Sequence, residues 1–482
     1  MTIKNLKEKA TLGMLWSAVD RVLANIGQLV IAIVLARILM PEDFGLVAML
    51  YVFLAMSNVF ISSGMGSALI QRINVTDLDR STVFVFNLTV SSIFYIVLFL
   101  SSSAIATFYA MPQLELLTKV LGLQLIINAF GIVQRAHLEK QMDFKALAKI
   151  SILALVVSGS ASIAAALYDW GVWALVLQAL VNASLTSFGL HLLSNKRVSL
   201  AFSKKSFKSL FGYSSKLLAA GLYAQGLQQI TSLAIGKFYL ASQLGFFTQA
   251  KKMSDTSSST LSSILHKVTF PVLASLQGDK ARMVSVYRRM IKMTAFITLP
   301  IMVLVALLAE PIVHLLLGEK WLATVPLLQW LAMAKMVTPI SVINMNILNA
   351  IGRSDLFLKV DLSKFPIIAI ALIVAIPISV EAIAIGLFIT SALSYFVNAY
   401  MPGKLFGYGS LEQLKDMIAI IISTAIMAAL VYGALQFDLS PVLKLILGIL
   451  VGTLTYIGST HILKIDELKE IFSVFFGKLT RT

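Results

Sequence analysis

Three stretches decide what this chain can fold into. Val83 to Phe99, Ile152 to Leu167 and Ile418 to Leu435 carry no charged side chain, and each approaches the ~20 apolar residues that cross a bilayer core. Backbone inside lipid must satisfy its own hydrogen bonds, so such runs form helices. With 58% hydrophobic and only 13% charged residues in 482, the chain reads as an all-α polytopic membrane protein. Hydropathy and breaks at Gly, Pro or charge predict about 14 transmembrane helices: 11–39, 43–70, 82–108, 113–137, 148–168, 171–193, 209–236, 239–271, 290–316, 322–349, 359–378, 381–403, 413–436 and 441–462. There is no cysteine, so neither a disulfide framework nor a thiolate metal site can form. Met1 to Lys9 is short and charged, and no small-residue cleavage site follows it, so no cleavable leader is expected.

Charge divides the connections. One alternate set is rich in cations, with Lys196, Arg197, Lys204, Lys205 and Lys208 in a single loop. The other set holds only Lys237 and Lys320, with acids such as Glu42, Asp169, Glu319 and Asp438. The positive-inside rule places the basic loops and both termini in the cytoplasm. The net charge of +16 is thus a topology signal and an attraction to anionic lipid. Cations scattered over many short loops do not make a nucleic-acid surface.

The same rule settles the most polar stretch, GFFTQAKKMSDTSSSTLSSIL from Gly245 to Leu265. Were it a loop, every later connection would change sides and Arg282, Arg288 and Arg289 would face outward. It is expected to be a polar span. Ionisable groups at such depth cost roughly 2.5–3.5 kcal/mol each on insertion scales and face a cavity. Lys335 is also deep, and the adjacent spans offer it no evident partner in the sequence.

An internal repeat adds to this. ARILMPEDFGL (Ala36 to Leu46) aligns with GKFYLASQLGF (Gly236 to Phe246) at an offset of 200. Arg21, Asn25 and Gln28 share one helix face, and Gly221, Gln225 and Gln228 repeat its phase. Tyr51, Asn58 and Ser62 correspond to Lys251, Ser258 and Ser262. Partners six spans apart point the same way, which makes a parallel repeat about the membrane normal, with its site between the halves. The expected domains are a six-helix bundle at 1–197, a second at 198–403, two extra helices in 404–462 and a cytoplasmic tail at 463–482. In that tail Ile465, Leu468, Phe472, Phe475 and Leu479 form an apolar stripe, expected to lie on the inner leaflet. Trp170, Trp173 and Trp321 are expected as interfacial anchors.

Five stretches in order carry a family resemblance: LARILMPEDFGLVAM (Leu35 to Met49), SALIQR (Ser67 to Arg72), QRAHLEKQMDF (Gln134 to Phe144), FPVLASLQGD (Phe270 to Asp279) and LLGEKWLATVPLLQ (Leu316 to Gln329). The chain resembles the polysaccharide-exporter branch of the multidrug/oligosaccharidyl-lipid/polysaccharide flippase superfamily, which contains colanic-acid and teichuronic-acid exporters. The resemblance implies two parallel six-helix bundles in a V around a central cavity, in the bacterial inner membrane. It also implies export of undecaprenyl-pyrophosphate-linked sugar repeat units for capsule, exopolysaccharide or lipopolysaccharide assembly, alongside polysaccharide polymerase machinery. Asp20 and Arg21 are not part of the family's signature, so their roles are read from the residues alone.

The residues fit that task. The anionic head of a lipid-linked oligosaccharide cannot cross hydrocarbon, while its isoprenoid tail can remain in it. Arg21 offers a bidentate fork for phosphate and Lys251 a mobile point charge, with Lys252 pointing about 100° away. Asn25, Gln28, Asn58, Gln225 and Gln228 are candidates for sugar hydroxyls. Asp20 and Asp255 are candidate charge partners or ion-coupling groups, Asp255 lying four residues beyond Lys251. The rival from the same superfamily is an ion-coupled multidrug antiporter using Asp20 or Asp255. A glycosyltransferase or ligase would need catalytic groups on an outer loop or cleft, whereas the outer connections are short and the five histidines scattered. A scaffold has only the basic tail in its favour. No G-x-x-x-x-G-K-[ST] loop is present, and no metal or cofactor is expected.

Overall fold

In a computed structural model the described residues are Trp16, 23–62, 64–194 and 199–470; the side chains of 213, 216, 217, 259–261 and 263–268 are not described. Asp20, Arg21, Phe472, Phe475 and Leu479 therefore lie outside the described residues. The described chain folds as helices α1 (Leu23–Ile38), α2 (Pro41–Ser62), α3 (Met65–Gln71), α4 (Asp77–Tyr109), α5 (Gln113–Lys140), α6 (Phe144–Leu167), α7 (Val172–Ser194), α8 (Lys204–Phe238) and α9 (Ala241–Ser275). There follow α10 (Lys280–Leu307), α11 (Ala309–Leu316), a 3₁₀ turn (Glu319–Trp321), α12 (Thr324–Lys335), α13 (Thr338–Ala350), α14 (Ser354–Ser363), α15 (Phe365–Ala375), α16 (Val380–Phe406), α17 (Ser410–Leu435) and α18 (Pro441–Ile462).

Ten spans among the described residues are long and apolar enough to cross a membrane, α2–α3 and α12–α13 each counting as one. Helices α8 and α9 have 35 residues apiece, ~52 Å at 1.5 Å per residue, but are too polar to be recognised by hydropathy. Three of the expected spans, 43–70, 322–349 and 359–378, contain a break in the helix. Gly64 (φ 71°) separates α2 from α3, Met336 and Val337 separate α12 from α13, and Lys364 separates α14 from α15.

Two compact units divide at Gly245/Phe246. In the first, α4 packs on α5, α6 on α7 and α5 on α7. Small residues bring α1 onto α6: a Cβ on Gly159 would lie 2.3 Å from Ile31 Cδ1, and one on Gly27 2.5 Å from Leu155 Cδ2, the close approach expected in lipid. Polar residues hold the helix ends. The Thr76 side chain accepts from the Asp79 N–H at 3.1 Å, and Asp79 Oδ2 accepts from the Thr76 N–H at 3.0 Å, a capping box that starts α4. Arg72 pairs with buried Asp79 at 3.2 Å. Lys140, ending α5, donates to the carbonyls of Leu69 in the last turn of α3 and of Arg72 and Ile73 just beyond it, where free helix-end carbonyls favour a cation.

In the second unit α10 packs on α17, α12 on α16 and α17 on α18. A fully buried polar triad joins three helices. Tyr287 of α10 donates to Asn344 Oδ1 of α13, and Gln413 of α17 donates to both the Tyr287 hydroxyl and Asn344 Oδ1 at 3.0 Å. Beside it Tyr408 donates to Asp416 at 2.9 Å, and Arg288 pairs with the same carboxylate. Gln413→Leu would leave the buried Asn344 Nδ2, which donates to Gln413 Oε1 at 3.3 Å, without its acceptor, at about 1–3 kcal/mol. The expected result is a clearly lower melting temperature in detergent, and an unchanged one would remove the triad from the stability account.

Two expectations need correction here. Trp321 is fully buried rather than interfacial, stacked edge-on against Phe246 with centroids 5.9 Å apart, because the 3₁₀ turn folds it inward. The start of the tail does not lie on the leaflet. Ile465 and Leu468 enter the second unit's core, Glu467 pairs with Lys292 at 2.7 Å and Glu470 with Arg289 at 3.0 Å. The stripe therefore docks on protein, at least through Glu470.

Candidate functional site

The polar stretch is a helix, as its charge pattern required. Along α9 the hydroxyls bond back to their own helix: Ser254 to the Lys251 carbonyl at 3.0 Å, Thr256 to Lys252 at 2.7 Å and Ser257 to Met253 at 3.3 Å. This back-bonding lets a serine-rich segment stay helical away from water. Lys251 lies ten residues into α9 and Asp255 fourteen, depths of ~15 and ~21 Å. Lys251 is half-buried and Lys252 exposed.

Asp255 meets a cation that the sequence did not offer it. Lys335 Nζ of α12 lies 2.5 Å from Asp255 Oδ1, with the lysine side chain 29% and the aspartate 38% exposed. The expectation that Lys335 lacks a partner is thereby overturned, since packing within the second unit, not sequence spacing, brings α9 to α12. Lys251 lies within electrostatic reach of both groups. Lys335 also ends a half-helix, ~17 Å from the start of α12. Pro339 has no N–H to donate to the Lys335 carbonyl four residues back, so the helix breaks there. Ser391 of α16 donates to the Ala334 carbonyl at 2.5 Å, satisfying one acceptor the break releases. A second break follows the same logic: Pro366 cannot bond Leu362, and Lys364 at that break pairs with Asp361 at 2.6 Å. The run KMVTP, lysine four residues before proline inside a span, was the signal available in the sequence.

The remaining candidates belong to the first unit. Asn25 and Gln28 are exposed on α1, Gln228 is exposed and Gln225 half-buried on α8. Asn58 Nδ2 donates to the Leu54 carbonyl at 3.0 Å, which leaves its amide oxygen for other partners. Helix α8 packs on α2, with Val59 Cγ1 only 3.0 Å from where a Cβ on Gly221 would sit. Among the described residues no three His, Asp or Glu side chains converge as metal ligands.

Where α2 and α9 begin, their backbones touch. A Cβ on Gly45 would lie 1.8 Å from the Ala241 carbonyl oxygen, and one on Gly245 2.0 Å from that of Pro41. Each contact becomes the other when 200 is added to one partner and taken from the other, as expected of a local twofold axis. Only glycine lets the two backbones approach this closely.

Residues 34–326 match the family described as "Polysaccharide biosynthesis protein". The chain is 24% identical over 452 residues to the teichuronic acid biosynthesis protein TuaB of Bacillus subtilis (strain 168), covering 92% of this chain and 94% of that protein. In fold it is similar to the lipid II flippase MurJ in an inward closed conformation, with a TM-score of 0.76 at 16% identity over 97% of this chain and 100% of the other. It is also similar to an inward-facing multidrug resistance MATE family transporter of the MOP superfamily, with a TM-score of 0.63 at 16% identity over 80% of this chain and 96% of that one. With its family match running through more than half its length, the chain belongs to the polysaccharide biosynthesis protein family.

Proposed function

We propose that the chain is a flippase for undecaprenyl-pyrophosphate-linked oligosaccharide repeat units, working by alternating access across the bacterial inner membrane. The observation that carries this reading is the charge on α9 and α12: Lys251, Lys252 and Lys335 against the single carboxylate Asp255. An excess of ammonium groups at mid-span suits an anionic head and repels a cationic drug. The names of TuaB and MurJ, which concern teichuronic acid and lipid II, favour a saccharide on a lipid carrier. Fourteen crossings follow if α1, α8, α9 and the broken α14–α15 each span alongside the ten apolar ones, which puts both termini in the cytoplasm. The two bundles then form a V around a cavity, with Arg21, Asn25, Gln28 and Asn58 contributed by the first half and Gln225, Gln228 and Lys251 by the second. The Gly45–Gly245 contact closes the outer side in one state and parts in the other.

The rival reading is an ion-coupled antiporter with Asp255 as the coupling carboxylate. Its ion pair weighs against that, because an ammonium already neutralises it. Deleting the gene separates the two. The proposal expects surface polysaccharide to be lost and its lipid-linked repeat unit to accumulate in the inner membrane. Unchanged polysaccharide together with sensitivity to cationic drugs would establish the antiporter instead.

A further inference from the structure

We propose that Asp255 is a displaceable internal anion for Lys335, holding the place that the phosphate of an anionic lipid head takes when cargo binds. The inference rests on the flippase reading above and adds to it a binding residue, Lys335, and an exchange of partners. Three observations on the page carry it.

The pair is accessible. Both side chains are about a third exposed, yet charges turned toward lipid at ~20 Å depth are costly, so the pair faces an aqueous space. A half-exposed ion pair contributes little to stability, and its retention inside a span calls for another role. The pair also sits at a break. Lys335 is the last residue of α12, and Pro339 prevents the helix from continuing through it. Interrupted spans in transporters mark places where cargo or ions are held. Finally, the local charge is unbalanced. Two ammonium groups, Lys251 and Lys335, share one carboxylate, and the diester of pyrophosphate carries a negative charge on each phosphate. When that head reaches Lys335 the carboxylate is expelled toward Lys251, one turn away on the same helix. When the head leaves, Asp255 returns and neutralises Lys335, so that lysine keeps a counter-charge in the empty carrier. No proton or metal is needed for the exchange.

The test uses the purified full-length protein in detergent at low salt, with radiolabelled farnesyl pyrophosphate as the probe and farnesol as the uncharged comparison. Removing the competing carboxylate in Asp255→Asn should tighten probe binding roughly tenfold, and Lys335→Gln should weaken it roughly tenfold. Lys335→Arg should bind near the wild-type level. The double variant Asp255→Asn/Lys335→Gln should bind like Lys335→Gln alone, because the aspartate acts only through that lysine. Asp255→Ser is measured in parallel, and melting temperatures accompany each variant. Binding by Asp255→Asn and Asp255→Ser that is unchanged or weaker overturns the exchange. So does unfolding of both, since the pair would then be structural. Failure of the flippase reading looks different: the wild type itself would bind farnesol as tightly as farnesyl pyrophosphate.

Discussion

Gly45→Ala and Gly245→Ala should each abolish polysaccharide export, although neither residue carries a functional group. The added methyl would be placed 1.8 Å from the Ala241 carbonyl oxygen in the first case and 2.0 Å from that of Pro41 in the second. Both neighbours are backbone, so no rotamer change relieves the overlap, and the starts of α2 and α9 must separate. Overpacking by one methylene costs about 1–3 kcal/mol even where side chains can yield. On the proposed topology a contact that cannot form should hold the carrier open on that side and stop its cycle. Gly226→Ala is the matched control, because nothing lies within 4 Å of its added Cβ; its export should equal that of the wild type. Export and membrane abundance are read together. Normal export by either Ala variant at positions 45 and 245 would mean the contact takes no part in transport.

The second large effect is electrostatic. Arg21→Gln/Lys251→Gln should reduce export to background while leaving membrane abundance near normal. A hydrogen bond to a charged group contributes about 1.5–3 kcal/mol, roughly ten- to a hundredfold in affinity for each site lost. Arg21→Lys should be tolerated only in part, since the charge stays while the planar fork is lost.

Much of this architecture could be read from the sequence because lipid imposes simple rules. The apolar runs at Val83, Ile152 and Ile418 fall within α4, α6 and α17. The charge bias correctly made a helix of Gly245 to Leu265, which hydropathy does not recognise as a span. The alignment at an offset of 200 singled out Gly45 and Gly245 as equivalents, though not that they touch. The five family stretches lie at helix ends, and the contacts explain their content: Lys140 on the carbonyls at the end of α3, Arg72 on Asp79, Gln134 bonded to His191 at 2.9 Å. What escaped depends on packing between distant segments. Nothing local tells Lys335 that Asp255 lies opposite, or tells Ile465 and Leu468 that α10 offers a surface. An apolar stripe reads alike whether protein or lipid covers it. Trp321 failed for the same reason, an aromatic near a boundary being either an anchor or, as here, a core residue.

The most direct measurement is flipping of a lipid-linked, pyrophosphate-bearing oligosaccharide in proteoliposomes, with a membrane potential imposed and no proton or sodium gradient. Carrying an anionic head outward from a negative interior is favoured by roughly 2.3 kcal/mol per net charge per 100 mV. The wild type should therefore flip the lipid, faster at higher potential, and Arg21→Gln/Lys251→Gln should flip it no faster than empty liposomes. Flipping by the double variant at the wild-type rate, or wild-type flipping that ignores the potential and requires an ion gradient, would contradict a cationic carrier of an anionic lipid-linked sugar.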